Sequence, residues 1–207
     1  MVRVFVPAVA LMLALSGCAH DEPYGEHGPS STASAPEARF DVEVTPGNTE
    51  VEVRYRFSND GDEPLMLVNR PAVPSGGGVR HREDTAYVTE DAGGGALLSQ
   101  ALFGFPESDH IWESVPRVGV TMVKPGETVE VDVRSALPLT WFHPFGNDFG
   151  SGTLSVPSDV EEVRFCLGVV SSPFPESMTP RTEEDGTRTV GHASADQHLF
   201  CSDPEEL

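Results

Sequence analysis

Trp141-Phe142-His143-Pro144-Phe145, ending near Asn147-Asp148-Phe149, is the densest aromatic stretch of the chain. Gly146, Gly150 and Gly152 interrupt it, so it reads as a loop rather than a continuous strand. Two uses of such a loop are open. Aromatics bury large area at low entropic cost, which suits a recognition surface made of Trp141, Phe142, His143 and Phe145. The same rings can instead fold back and plug the open end of a sandwich. A second segment, His110-Ile111-Trp112-Glu113 behind Glu107 and Asp109, mixes acid, imidazole and indole, and adds Trp112 to the recognition set.

Metal ligation and catalysis find less support. His192 and His198 flank Asp196 at a spacing that permits Zn²⁺ or Cu²⁺, but surface histidines are the expectation. The Asp60, Asp62, Glu63 turn lacks the regular spacing of a calcium loop and reads as a hairpin. The chain contains no G-x-S-x-G turn, no H-E-x-x-H, no phosphate loop and no dinucleotide fingerprint. The expectation is therefore no catalytic residue, no resident metal and no cofactor.

The formal charge is −20, from 13 Lys plus Arg against 33 Asp plus Glu. Such a surface repels nucleic acid and anionic headgroups, which removes both as partners.

At the N-terminus, Arg3 precedes an apolar run from Val4 to Leu15 that only Pro7 interrupts. The run is short for a membrane span and suits a signal-peptide core. It closes on Leu15-Ser16-Gly17-Cys18, which resembles the lipobox of bacterial lipoproteins. The resemblance implies a signal peptide over 1–17 and Cys18 as the lipidated, mature N-terminus. Two acyl chains at about 0.8 kcal/mol per buried CH₂ would hold the protein firmly. The expected location is a bacterial membrane, with the folded part extracytoplasmic. Residues 18–38 carry Pro, Gly and a Ser/Thr/Ala run without apolar periodicity, and read as a flexible tether.

With Cys18 assigned to lipid, Cys166 and Cys201 remain. An even pair in an exported domain points to a disulfide fastening the C-terminal segment to a sheet.

Residues 39–207 are expected to form a single domain of short strands. Phe40, Val42, Val44 and then Val51, Val53, Tyr55, Phe57 alternate with polar residues, the period of strands with one wet face. Asn59-Asp60-Gly61-Asp62 and Lys124-Pro125-Gly126-Glu127 mark turns, and Val129, Val131 and Val133 resume the alternation. Further strands are read at 65–68, 118–123, 153–156 and 163–169. Ala96 to Phe103, flanked by glycines, reads narrowly as a helical turn or loop. The phrases YRFSNDGDEPL and MVKPGETVEV resemble envelope immunoglobulin-like domains. That resemblance implies an all-β, immunoglobulin-like β-sandwich, with a long inter-strand excursion over 71–116; an up-and-down barrel is the runner-up.

The function expected from these features is a membrane-anchored binding or assembly module whose loops contact another envelope protein. Metal or small-ligand binding is the alternative, and a small envelope enzyme comes third.

Overall fold

The computed structural model describes residues 27–106, 113–149, 152–192 and 196–207. The strands are β1 (Ala38–Pro46), β2 (Glu50–Asn59), β3 (Leu65–Arg70), β4 (Ala72–Ser75), β5 (Gly78–His81), β6 (Tyr87–Glu90) and β7 (Ala96–Gln100). They continue as β8 (Arg117–Val123), β9 (Thr128–Ala136), β10 (Glu162–Ser171), β11 (Arg181–Thr182), β12 (Arg188–Gly191), β13 (His198–Cys201) and β14 (Glu205–Glu206). Among the described residues, one 3₁₀ turn covers Glu176–Met178. The fold is all-β, and no sheet closes into a barrel.

β1, β2 and β9 make a three-stranded antiparallel sheet. Their alternation is visible in the burial: Val51, Val53, Tyr55 and Phe57 are buried while Glu52, Arg54 and Arg56 face water. The second sheet has nine strands, ordered β11-β12-β8-β3-β10-β7-β6, with β13 and β14 also paired to β10. The inner faces of the two sheets enclose one core, where Tyr55 and Phe57 meet Leu65, Leu67, Leu98, Phe165, Leu167 and Val169.

The large sheet is buried on both faces. Its outer face carries Met66, Val68, Tyr87, Val118, Val170 and Val190, covered by the loop residues Leu102, Phe103, Phe145, Phe149 and Met178. Two-sided burial explains why β3 and β7 lack alternation: every residue from Leu65 to Asn69 and from Ala96 to Gln100 is buried. It also corrects the helical-turn expectation for 96–103. Residues 96–100 form a strand running parallel to β10, and a strand covered on both sides has no wet face to give a period of two.

Asn59 joins the two turns that stood out in the sequence. Its amide donates to the carbonyls of Glu63 (2.8 Å) and Val123 (3.0 Å), and its Oδ1 accepts from Gly61 N–H (3.1 Å). Its main chain bonds Gly126 and Glu127, and Gly126 takes the positive φ of 74° that the Pro-Gly turn requires.

The cysteines form a disulfide, with Cys166 and Cys201 directly opposite in the β10–β13 pair and their Cα atoms 4.1 Å apart. The excursion over 71–116 connects β3 to its own neighbour β8. It contains the separate β4–β5 ribbon, then returns β6 and β7 to the large sheet.

Candidate functional site

The aromatic loop is bound into a compact turn. Gly146, at φ 91°, donates its N–H to the His143 carbonyl (3.0 Å), and the Trp141 indole donates to the Gly146 carbonyl (3.0 Å). Phe145 N–H donates to His143 Nδ1 (3.2 Å). Phe142 exchanges main-chain hydrogen bonds with Val88 (2.8 and 3.0 Å), which covers part of the β6 edge. The rings thus lie over the outer face of the large sheet. Phe142 also packs against the inner core, so one ring of the set reaches the space between the two sheets.

Two histidines are sealed into this layer. His143 packs against Phe103 with ring centroids 4.6 Å apart and against Phe149 at 5.1 Å. His192, which follows β12, lies against Tyr87 at 5.5 Å. Burial, with nearby histidines adding to it, pushes both imidazoles down to about 3, so both are neutral at physiological pH. His192 Nδ1 accepts from Phe103 N–H (3.3 Å), which places the ring proton on Nε2, 3.1 Å from the Tyr87 hydroxyl oxygen. The surface position expected for His192 is corrected: rings from loops distant in sequence enclose it.

The segment 27–37 is irregular chain, and part of it is clasped to the domain. The Gln197 carbonyl accepts from Thr32 and Ala33 N–H (3.1 Å each). The buried Gln197 amide donates to the carbonyls of Leu102 (2.8 Å) and Ser30 (3.1 Å), while its Oε1 accepts from Leu102 N–H (2.8 Å). Gly168 makes room for it, since a Cβ there would fall 2.2 Å from that oxygen. His27 sits against Phe149 at 5.1 Å and Trp141 at 6.3 Å. The expected tether thus has part of its described length held on the domain.

Beside this layer opens a groove of about 1500 Å³. One wall is the β4–β5 ribbon, turned at Gly76 and Gly77 with φ of 54° and 95°, the signature of a tight hairpin. The ribbon can approach β8 because residue 119 is glycine. A Cβ there would lie 2.6 Å from Arg70 Cβ and 3.1 Å from His81 Cβ. The remaining walls come from 114–117, 142–146, 177–185 and Gly191.

The groove holds Arg80, His81, Arg117 and Arg181 against Glu183, Glu184 and Asp185. Arg117 is anchored by hydrogen bonds to Thr189 Oγ1 (2.8 Å) and O (2.6 Å), and lies 3.6 Å from Glu183. Partial burial, then the nearby Arg181 guanidinium, lower its pKa, and Glu183 opposes them. Asp185 is stabilised as the anion chiefly by hydrogen bonding from Thr187, at 2.9 Å to the main-chain N–H. Val79 and Val115, two of the four exposed large hydrophobic residues among those described, also line the groove.

The structure divides the recognition set. His143 and Phe145 are buried, whereas Trp141 and Phe142 are half-buried, and Phe142 and His143 contribute to one wall of the groove. Trp112 and Cys18 lie outside the described residues. Sequence reasoning missed the ribbon and its Arg80 and His81. The signal was present in Ser75-Gly76-Gly77-Gly78 between two short runs, a glycine-rich hairpin turn. It also missed Arg117 and Arg181, which only strand pairing brings near each other. Among the described residues, no group of three or more His, Cys, Asp or Glu side chains is arranged to hold a metal ion. No protein-family model, curated protein or solved structure matches this chain.

Proposed function

We propose that this protein is a lipid-anchored, extracytoplasmic binding module of immunoglobulin-like sandwich type, which contacts another envelope protein through its loops. The observation that carries the reading is the groove between the β4–β5 ribbon and the 142–146 and 177–185 segments, where Val79 and Val115 stand exposed beside charged side chains of both signs. Its volume exceeds the 300–1,000 Å³ usual for small-molecule pockets and suits a segment of polypeptide. The Cys166–Cys201 disulfide supports an oxidising compartment, in keeping with export and anchorage at Cys18. Asn59 and the Pro125-Gly126 turn, which carry the immunoglobulin-like resemblance, meet at one end of the three-stranded sheet.

The test is crosslinking in intact cells, followed by affinity isolation and mass spectrometry, with Cys18→Ser as the unanchored control. The expected result is one or two envelope proteins enriched with the anchored form and lost from a Val79→Asp/Val115→Asp variant that remains folded. A protein set identical in all three forms would sink the reading.

A further inference from the structure

The clasp on residues 30–33 decides where the chain leaves the domain. Beyond the Gln197 bonds, Ser31 Oγ accepts from Leu199 N–H (3.1 Å), and the Ala33 carbonyl lies 3.3 Å from His198 Nδ1. Pro29 is buried, and His27 rests on Trp141 and Phe149. Cys18 precedes His27 by nine positions. Extended chain covers about 3.5 Å per residue, so the aromatic layer lies within about 32 Å of Cys18. A tether free as far as Ala38, where β1 begins, would reach roughly 70 Å and leave the domain's orientation open. At this exit the rings form a continuous run. Centroids are 6.3 Å apart for His27–Trp141, 6.0 Å for Trp141–His143, 5.8 Å for His143–Phe145 and 5.4 Å for Phe145–Phe105. The run ends on Phe105, which is 49% exposed, and Trp141 is half-buried with its indole N–H already bonded to Gly146.

Resting on the reading of Cys18 as lipidated, we infer that this aromatic end docks on the headgroup zone of the bilayer that holds the anchor, with Trp141 and Phe105 as its contact residues. The short tether selects that occupant. It keeps the rings beside the bilayer at an effective concentration in the millimolar range, so a contact of weak intrinsic affinity is occupied. Tryptophan suits the interface because its ring is mostly apolar and its edge tolerates water. The chain's charge of −20 repels anionic lipid, so the contact is made by uncharged rings on neutral headgroups. It is also shallow: Asp148, on the same loop as Trp141, is exposed, and a carboxylate is costly to take into hydrocarbon. The three-stranded sheet packs on the opposite face of the large sheet, and packed layers stand about 10 Å apart, so its wet face turns away from the membrane.

The test uses the full chain carrying its lipid, reconstituted in phosphatidylcholine vesicles, with Trp112→Phe so that Trp141 is the sole tryptophan. Phosphatidylcholine brominated near the glycerol end of its chains quenches a tryptophan only at close range. Trp141 emission should fall in brominated vesicles relative to plain ones. A second reporter, Arg54→Trp in a Trp112→Phe/Trp141→Phe chain, stands on the wet face of the three-stranded sheet and should keep its emission. Circular dichroism checks that both chains are folded. If the chain floats with the vesicles but Trp141 is not quenched, the docking is overturned, the anchor stands, and the layer is left to a protein partner. Equal quenching of the two reporters also overturns it, because the domain then has no preferred face. A chain that does not float with the vesicles removes the anchor reading and the docking together.

Discussion

The two faces of the nine-stranded sheet are buried by different means. On the inner face, strand meets strand: Phe165, Leu167 and Val169 of β10 pack on Tyr55, Phe57 and their neighbours, and Tyr55 and Gln100 are paired there. Tyr55 donates its hydroxyl to Gln100 Oε1 (2.8 Å), and the Gln100 amide donates to the carbonyls of Glu83 (2.7 Å) and Thr85 (2.8 Å). On the outer face, loops cover the sheet with aromatic rings and two neutral histidines. Regular strands supply a uniform apolar surface. Loops bring their own unpaired main-chain groups, so the side chains sealing them must include hydrogen-bonding rings. The inner face is thus a stability core, and the outer face is a conditional layer with the groove at its margin.

The sharpest way to separate them is truncation. Phe165 is fully buried, and Phe165→Ala should cost about 3–5 kcal/mol in urea unfolding. Trp141 is only half-buried, so Trp141→Ala should cost roughly half as much by the same area argument. Equal losses would mean that the outer layer is as structural as the inner core.

Acid should act on the outer layer first. The folded-state pKa of His143 and of His192 is about 3, below the roughly 6.5 of an unfolded chain. The unfolded state therefore binds more protons between those values, so this stability is full above about pH 6.5 and is lost as pH falls toward 3. From pH 6 to pH 5 the two rings together should cost about 2–3 kcal/mol. His143→Gln should reduce that slope by about half. An unchanged slope would remove His143 from the account.

These contrasts match what could and could not be read from residue order. Val51, Val53, Tyr55 and Phe57 announced the three-stranded sheet because one face is wet, and period two is the trace that a wet face leaves. The Cys166–Cys201 pairing was likewise legible, since once Cys18 is read as lipidated only one pair of cysteines is left. Ala96–Gln100 was not, because burial on both sides erases alternation and the flanking glycines imitate loop. The histidine layer and the groove were hidden for a different reason. His143, His192, Arg80 and Arg181 come together through pairings among β4, β5, β8, β11 and β12, and no local pattern encodes those pairings.

Gly119→Ala probes that hidden assembly directly. The added methyl must push aside Arg70 or the ribbon residue His81, an overpacking cost of about 1–3 kcal/mol. Hydrogen exchange should speed up at Arg82 N–H, which donates to the Pro71 carbonyl (3.0 Å) across the base of the ribbon. Exchange in β2 should stay unchanged. Loosening throughout the molecule would mean that the ribbon belongs to the stability core.

The smallest effect should come from the most conspicuous charges. Arg54–Asp132 and Arg56–Glu130 are cross-strand pairs at 2.9 Å on the wet face of the three-stranded sheet, and each group is more than half exposed. Water screens such pairs, and holding two long side chains in register costs rotamer entropy. Arg54→Gln should therefore leave the urea-unfolding midpoint almost unchanged, with 0.5 M salt narrowing any difference further. A larger loss would require the ladder to act as a network, since Arg54 also lies opposite Glu43 on β1. The double-mutant cycle Arg54→Gln/Glu43→Gln measures that coupling. A value near zero leaves the charged face to keep the sheet soluble.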